Sequence, residues 1–204
     1  MEQDFKEAVK WYQKAADQGY TDAQYNLGVM YGSGQGLEQN FKGALEWYLK
    51  AADQGYAAAQ GNLGVMYAKG QGVEQDFKEA LKWWQKAADQ GYADAQSYLG
   101  VMYRDGQGVE QDFKEAVKWY QKAADQGVAM AQNNLGVAYG MDQGVEQNYV
   151  TAYAWASIAA ANGDKIAPRF KSEFLEPKMT PAQIAKAEEL VKEMVKKNPK
   201  LLNK

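Results

Sequence analysis

Phe5-Lys-Glu-Ala-Val-Lys-Trp-Tyr-Gln-Lys-Ala-Ala-Asp-Gln-Gly19 returns as residues 41–55, 77–91 and 113–127, and in altered form as residues 149–163. Successive copies start 36 residues apart, at Phe5, Phe41, Phe77 and Phe113. A period of this size marks a solenoid made from one repeated supersecondary unit. Within the stretch, Phe5, Ala8, Val9, Tyr12, Ala15 and Ala16 fall on one face of an α-helix, and Lys6, Glu7, Lys10, Gln13, Lys14 and Asp17 keep the other face solvated. Asp4 is placed to cap the helix, and Gly19 suits the left-handed stop that follows it. Trp11 lies beside the apolar face and is expected to pack under the next loop or on the adjacent repeat.

A shorter helix precedes each later copy, near residues 22–31, 58–67, 94–103 and 130–139, with Ala23, Leu27, Met30 and Tyr31 as the first apolar stripe. The long helices run near residues 40–54, 76–90, 112–126 and 148–162. Gly28 recurs as Gly64, Gly100 and Gly136. A mid-helix glycine costs about 1 kcal/mol relative to alanine, so its return in every copy predicts close contact between two helix backbones. Between short and long helix lie loops such as Gly34-Gln-Gly-Leu-Glu38. Gly-x-Gly loops can cradle phosphate, but no Lys-Ser or Lys-Thr follows and no strand precedes, so they read as chain reversals with an aliphatic pin (Leu37, Val73, Val109, Val145).

The pattern decays after Gly144. In the last long helix Ala154 and Ile158 replace lysines, which calls for a cover. The tail supplies it: a short helix over residues 167–174 ending before Pro177, then Thr180-Pro-Ala-Gln183, which reads as a capping box. Ile184, Ala187, Leu190, Val191, Met194 and Val195 form one face of the final helix. That face fits a cap closing the solenoid better than a membrane surface, because repeat arrays need a polar outer layer. The fold expected is therefore all-α, an α/α solenoid over residues 1–164, with residues 165–204 adding a degenerate helix and a capping helix to the same domain.

The net charge of −3 and the dispersed lysines argue against a nucleic-acid footprint. No apolar run is long enough to span a membrane. There is no cysteine, hence no disulfide framework, and no histidine, the most common general base and metal ligand at neutral pH. No cofactor or metal site is expected. Met1 to Phe5 align with Val73 to Phe77, so the chain starts mid-repeat, and periplasmic, secreted and cytoplasmic locations all stay open.

Ala-Gln-x-x-Leu-Gly-x-x-Tyr, then Gly-x-Gly-Val, then Ala-x-x-Trp-Tyr-x-Lys-Ala-Ala-x-x-Gly resembles the Sel-one-like repeat (SLR), a relative of the tetratricopeptide repeat. The tail from Lys178 to Ala187 looks like the closing segment of bacterial members. The resemblance implies a right-handed superhelix of antiparallel helix pairs. It also implies an adaptor that assembles other proteins, with the short helices lining a concave groove. A cysteine-rich branch linked to penicillin binding or hydrolysis is not matched, since the chain has neither cysteine nor Ser-x-x-Lys.

If the short helices line a groove, the residues facing it are Tyr25, Asn26 and Val29, then Asn62 and Val65, then Tyr98 and Val101, then Asn133 and Asn134. A turn to either side lie Asp22, Asp94 and Met130, and Gly32, Lys69, Arg104 and Met141. The asparagines Asn26, Asn62 and Asn134 have two readings of equal weight: pairing with an extended peptide, or bonding between adjacent repeats to hold their register. Tyr25, Tyr98, Arg104 and Met141 break the repeat, and aromatics and arginine are favoured interface anchors. Phe5, Ala8, Val9 and Tyr12 on the first helix have no inner partner in the sequence, so this end is expected to self-associate. The leading function is a non-catalytic scaffold for a protein or peptide ligand. The alternatives are a hydrolase on cell-wall sugar or peptide using carboxylates such as Asp94 and Asp105, and a purely structural spacer.

Overall fold

Each later long helix starts where the sequence places a side-chain acceptor. Asp76 Oδ1 accepts from the amides of Lys78 and Glu79 (2.8 and 3.0 Å), and Asp112, Asn40 and Asn148 cap their helices likewise. The first long helix differs: it begins at Glu2, so Asp4 lies inside it and is not its cap. Each long helix is followed by a glycine at positive φ, from Gly19 (+90°) to Gly163 (+87°), the region that a side chain disfavours.

The structure, a computed structural model, describes residues 2–202, with side chains from Asp4 onward; the ends of the expected domain division, at Met1 and Lys204, lie outside it. Among the described residues all regular structure is helical: α1 (Glu2–Asp17), α2 (Thr21–Ser33), α3 (Phe41–Asp53), α4 (Ala57–Lys69), α5 (Phe77–Asp89), α6 (Ala93–Asp105), α7 (Phe113–Ala124), α8 (Ala129–Gly140), α9 (Tyr149–Ala161), α10 (Ala167–Arg169) and α11 (Pro181–Lys197). This is the expected all-α solenoid of consecutive helix pairs. The chain divides into two compact units, Met1–Ala95 and Gln96–Lys204.

In the first unit α2 packs on α3 and α4 on α5, while α1 and α3 pack on the short helix that follows each. Trp47 closes a cluster with Ala16, Ala23 and Leu27 of the preceding pair, and Trp83 does the same with Tyr48, Ala51 and Leu63. Leu27 and Leu63 are fully buried, each contributing about 2 kcal/mol. Lys50 and Lys86 lay their ammonium groups over the outer faces of Trp47 and Trp83, at 3.7 and 4.1 Å from the ring centroids.

The recurring helix glycine has a different cause from the one expected. A Cβ on Gly28 would stand 2.7 Å from the ring of Tyr48, so in this repeat a side chain, not a backbone, presses on the glycine. The rings of Trp84 and Tyr120 do the same at Gly64 and Gly100. Only at Gly136 does the expected backbone approach occur: there Ala156 stands in the aromatic position, and the Ala152 carbonyl lies 3.0 Å from where a Cβ would be.

Register is held by glutamines. Gln54 Nε2 donates to Gln24 Oε1 and Gln90 Nε2 to Gln60 Oε1 (both 2.7 Å) in the first unit. In the second, Gln126 donates to Gln96 and Asn162 to Gln132 (both 2.8 Å). Gln24, Gln60 and Gln132 also donate to a backbone carbonyl one helix back, at Ala16, Ala52 and Ala124.

In the second unit α8 packs on α9 and the tail covers α9 as expected. Ala187, Met179 and Leu175 join Ala152, Tyr153 and Ala156, while Val191, Met194 and Val195 reach Trp155 and Ile158. The short tail helix differs in form from the expectation. After α10 it widens into a π-helical turn, Phe170–Leu175, and then tightens into a 3₁₀ turn, Glu176–Lys178, that contains Pro177. The capping box is present: the Thr180 amide donates to Gln183 Oε1 and the Gln183 amide to Thr180 Oγ1. Beyond α11 the chain crosses back, and the Leu201 carbonyl accepts from both Gln132 (2.9 Å) and Asn162 (2.6 Å).

Candidate partner-binding faces

The helical spacing of α3 turns Ala44 and Tyr48 inward, and Gly28 lets the Tyr48 ring lie close to α2. Tyr48 ends beside Asn62 on α4. Burial pushes that hydroxyl well above its ordinary pKa, with Tyr25 adding to the shift and Asn62 opposing it. Tyr25 tilts against both Tyr48 and Tyr56, with ring centroids 5.8 and 5.0 Å away. Between α2, α3 and α4 these residues leave a hollow of about 390 Å³. Its wall includes Tyr25, Phe41, Tyr48, Asn62, Val65 and Ser33.

The second unit repeats this wall as Phe113, Tyr120, Asn134 and Val137, yet its hollow is only about 10 Å³. Several side chains differ, Tyr25 against Ser97 and Ser33 against Asp105 among them, and one of them enters the hollow. Where the first unit has Gly32, the second has Arg104, two repeats on. The Arg104 guanidinium forms a bidentate pair with Asp105 (2.7 and 3.0 Å) and donates from Nη1 to Asn134 Oδ1 (3.4 Å). The Tyr120 hydroxyl there is buried without a hydrogen-bond partner. At the next equivalent position, Gly140, a Cβ would meet Phe170 at 3.0 Å and Leu175 at 3.4 Å, so the tail stoppers that place.

Of the residues the sequence proposed for the groove, Tyr25, Val29, Asn62 and Val65 meet at the first hollow, and Arg104 and Asn134 at the second. Asn133 does not face outward: it is 6% exposed, and its Oδ1 has no hydrogen-bond partner. The equivalent Gly61 and Ser97 are buried too, whereas Tyr25 at the same position is half-buried and lines the first hollow. Asn26, Val101 and Tyr98 are half-buried and line neither hollow, and exposed Asp22 bonds with Tyr56. Asp94, Lys69, Met130 and Met141 are exposed and also line neither. Lys69 and Met141 lie one residue beyond the true equivalents of Gly32, which are Ala68 and Gly140. Of the two carboxylates offered for catalysis, Asp105 is paired with Arg104 and Asp94 sits exposed in the first turn of α6. Among the described residues no group of three or more acidic side chains is placed to hold a metal ion. No helix there is long and apolar enough to cross a membrane.

The sequence reading missed Trp11. The equivalent Trp47, Trp83, Trp119 and Trp155 are 5–8% exposed, whereas Trp11 is 63% exposed. It packs neither under the next loop nor on the adjacent repeat. With Val9, Lys10 and Lys14 it lines an open hollow of about 750 Å³ on α1. Phe5 is 42% exposed, while Ala8, Val9 and Tyr12 are half-buried, Val9 and Tyr12 against Ala16, Ala23 and Leu27.

The Sel1 repeat profile matches residues 1–20, 21–56, 57–92, 93–128 and 129–164. Among solved structures, a protective antigen of uropathogenic Escherichia coli strains displaying an SLR fold is 39% identical (TM-score 0.87), the match covering 95% of this chain and 42% of that one. The chain thus spans less than half the length of that antigen. A Sel1 repeat protein from Oxalobacter formigenes is 35% identical (TM-score 0.78) over 92% of this chain and 79% of its own. An immunity protein from Pseudomonas aeruginosa is 26% identical (TM-score 0.55) over 95% and 73%. No curated protein is similar enough to count as a match.

Proposed function

The chain belongs to the Sel1 repeat family, and from that premise we propose that it is a non-catalytic scaffold that binds a protein or peptide along its short helices. Sel1 repeat proteins generally act as scaffolds for protein interactions and are typically non-catalytic. The observation that carries the reading here is the hollow between α2, α3 and α4: aromatic on one side, amide and hydroxyl on the other, and open to solvent. Concave sites with few convergent polar groups are where ligands bind. The hydrolase reading lacks what it needs, since Asp105 is committed to Arg104 and Asp94 lies in no closed pocket.

A capture experiment tests the reading. Unaltered protein is compared with the Asn62→Ala, Tyr98→Ala, Arg104→Ala variant for what each retains from lysate of the source cell. A protein held by the first and lost by the second supports a groove scaffold. The same proteins held by both move the binding surface elsewhere.

A second surface rests on Trp11. Every equivalent tryptophan is buried, and an indole left in water favours an apolar partner. Self-association through α1 is the reading it supports, with Trp11 and Phe5 at its centre and Ala8, Val9 and Tyr12 behind them.

A further inference from the structure

The two hollows differ as an empty socket differs from a filled one. Phe41, Tyr48, Asn62 and Val65 in the first correspond to Phe113, Tyr120, Asn134 and Val137 in the second. The second contains the Arg104 side chain, whose guanidinium reaches Asn134 Oδ1. The first has Gly32 in its place, and around that glycine there is room: a Cβ would stand 3.7 Å from the Ala44 methyl and 4.0 Å from the Tyr48 hydroxyl, ordinary contact distances. Resting on the scaffold reading above, we infer that the hollow between α2, α3 and α4 receives one arginine side chain of a bound peptide, in the manner in which Arg104 fills its own repeat.

The chemistry of the wall agrees. A guanidinium is planar and stacks on aromatic faces, and Tyr25, Phe41 and Tyr48 supply them. It has five donors and no acceptor, and Asn62 Oδ1 and Ser33 Oγ stand where Asn134 and Asp105 receive Arg104. No lysine or arginine lines the hollow to repel it, and the chain carries a net charge of −3. Ser33 in place of Asp105 leaves the first socket without its own counter-charge, so the arginine is held by stacking and neutral acceptors and released readily.

The test uses the ¹⁵N-labelled full chain and three capped tripeptides: acetyl-Gly-Arg-Gly-amide and the versions with citrulline and norleucine in the centre. The arginine probe is expected to give saturating shifts at the amides of Ser33, Asn62 and Val65, and citrulline to bind about tenfold more weakly. The shifts should vanish in Gly32→Arg/Ser33→Asp, which fills the socket from within. Asn62→Asp, which leaves the wall intact and adds a carboxylate, should tighten arginine alone. Absence of saturation with arginine, equal binding of norleucine, or shifts that persist in the filled variant would each overturn the inference. If partners are still captured in those cases, the scaffold reading stands and only the arginine socket fails.

Discussion

The ring of Tyr48 lies so close over Gly28 that a Cβ there would sit 2.7 Å from both Cδ1 and Cε1. Tyr48 is buried and held at Asn62, so it cannot swing away cheaply. Gly28→Ala gains about 1 kcal/mol of helix propensity and loses about 1–3 kcal/mol to overpacking. Urea unfolding should therefore show a net loss of up to about 2 kcal/mol. A gain in stability would mean that the ring yields.

Tyr48 and Tyr120 occupy one repeat position with different partners. Tyr120→Phe removes a buried hydroxyl that has no partner, and should be neutral or stabilising. Tyr48→Phe removes a hydroxyl that stands beside the Asn62 amide and should cost up to about 1 kcal/mol. The same melts measured with each single variant separate the two.

Burial raises the pKa of both tyrosines in the folded chain. The folded state thus holds these protons more tightly than the unfolded state. Their contribution to stability is fully present below about pH 10, the unfolded value, and is lost as pH rises beyond it. Unfolding followed by far-ultraviolet circular dichroism should show stability falling above that pH. The double variant Tyr48→Phe/Tyr120→Phe should flatten the fall.

Gln60 accepts from Gln90 and donates to the Ala52 carbonyl within the core. Gln60→Leu removes both bonds, leaving the Ala52 carbonyl with the Gly55 amide and Gln90 with the Lys86 carbonyl, and should cost about 1–3 kcal/mol. Asn26→Ala, at a half-buried position outside both hollows, should change stability by less than about 0.5 kcal/mol. Reversal of that order in denaturant titrations would move the register contacts back to the asparagines.

Trp47→Ala should cost about 3–5 kcal/mol, since its ring closes the cluster of Ala16, Ala23 and Leu27. Trp11→Ala should cost less than about 0.5 kcal/mol, because most of its ring is already in water. Sedimentation equilibrium then tests the association surface: the unaltered chain should shift to dimer at high concentration, and Trp11→Ala should not.

The repeat, its helices, the capping box of Thr180 and the cover over α9 were all readable, because each is a local pattern of residue types. The Gln24–Gln54 type of contact was not. Those glutamines sit beside Asp-Gly and Ala in every copy, and a repeated polar residue looks the same in sequence whether it meets water or its counterpart. Asn133 was misplaced because the step between inward and outward positions on a helix is one residue, and Asn-Asn offers both. The socket escaped for another reason: Arg104 was legible as a break in the repeat, but only packing shows that it fills the space that Gly32 vacates. Trp11 was visible as a residue, but a repeated tryptophan looks the same in sequence whether it is buried, as Trp47 is, or exposed.

The Leu201 carbonyl takes up the last rung of the glutamine series, and the tail hides Ala154 and Ile158 beneath it. This closes the array on the side of the tail. A duplication of residues 57–92 brings its own tryptophan for the pair in front and its own Gln60–Gln90 contact, and every face still finds its complement. A copy inserted after Asp164 would part the apolar outer side of α9 from its lid. Lineages that lengthen this protein are therefore expected to do so by duplicating copies ahead of the closing segment, which stays unchanged.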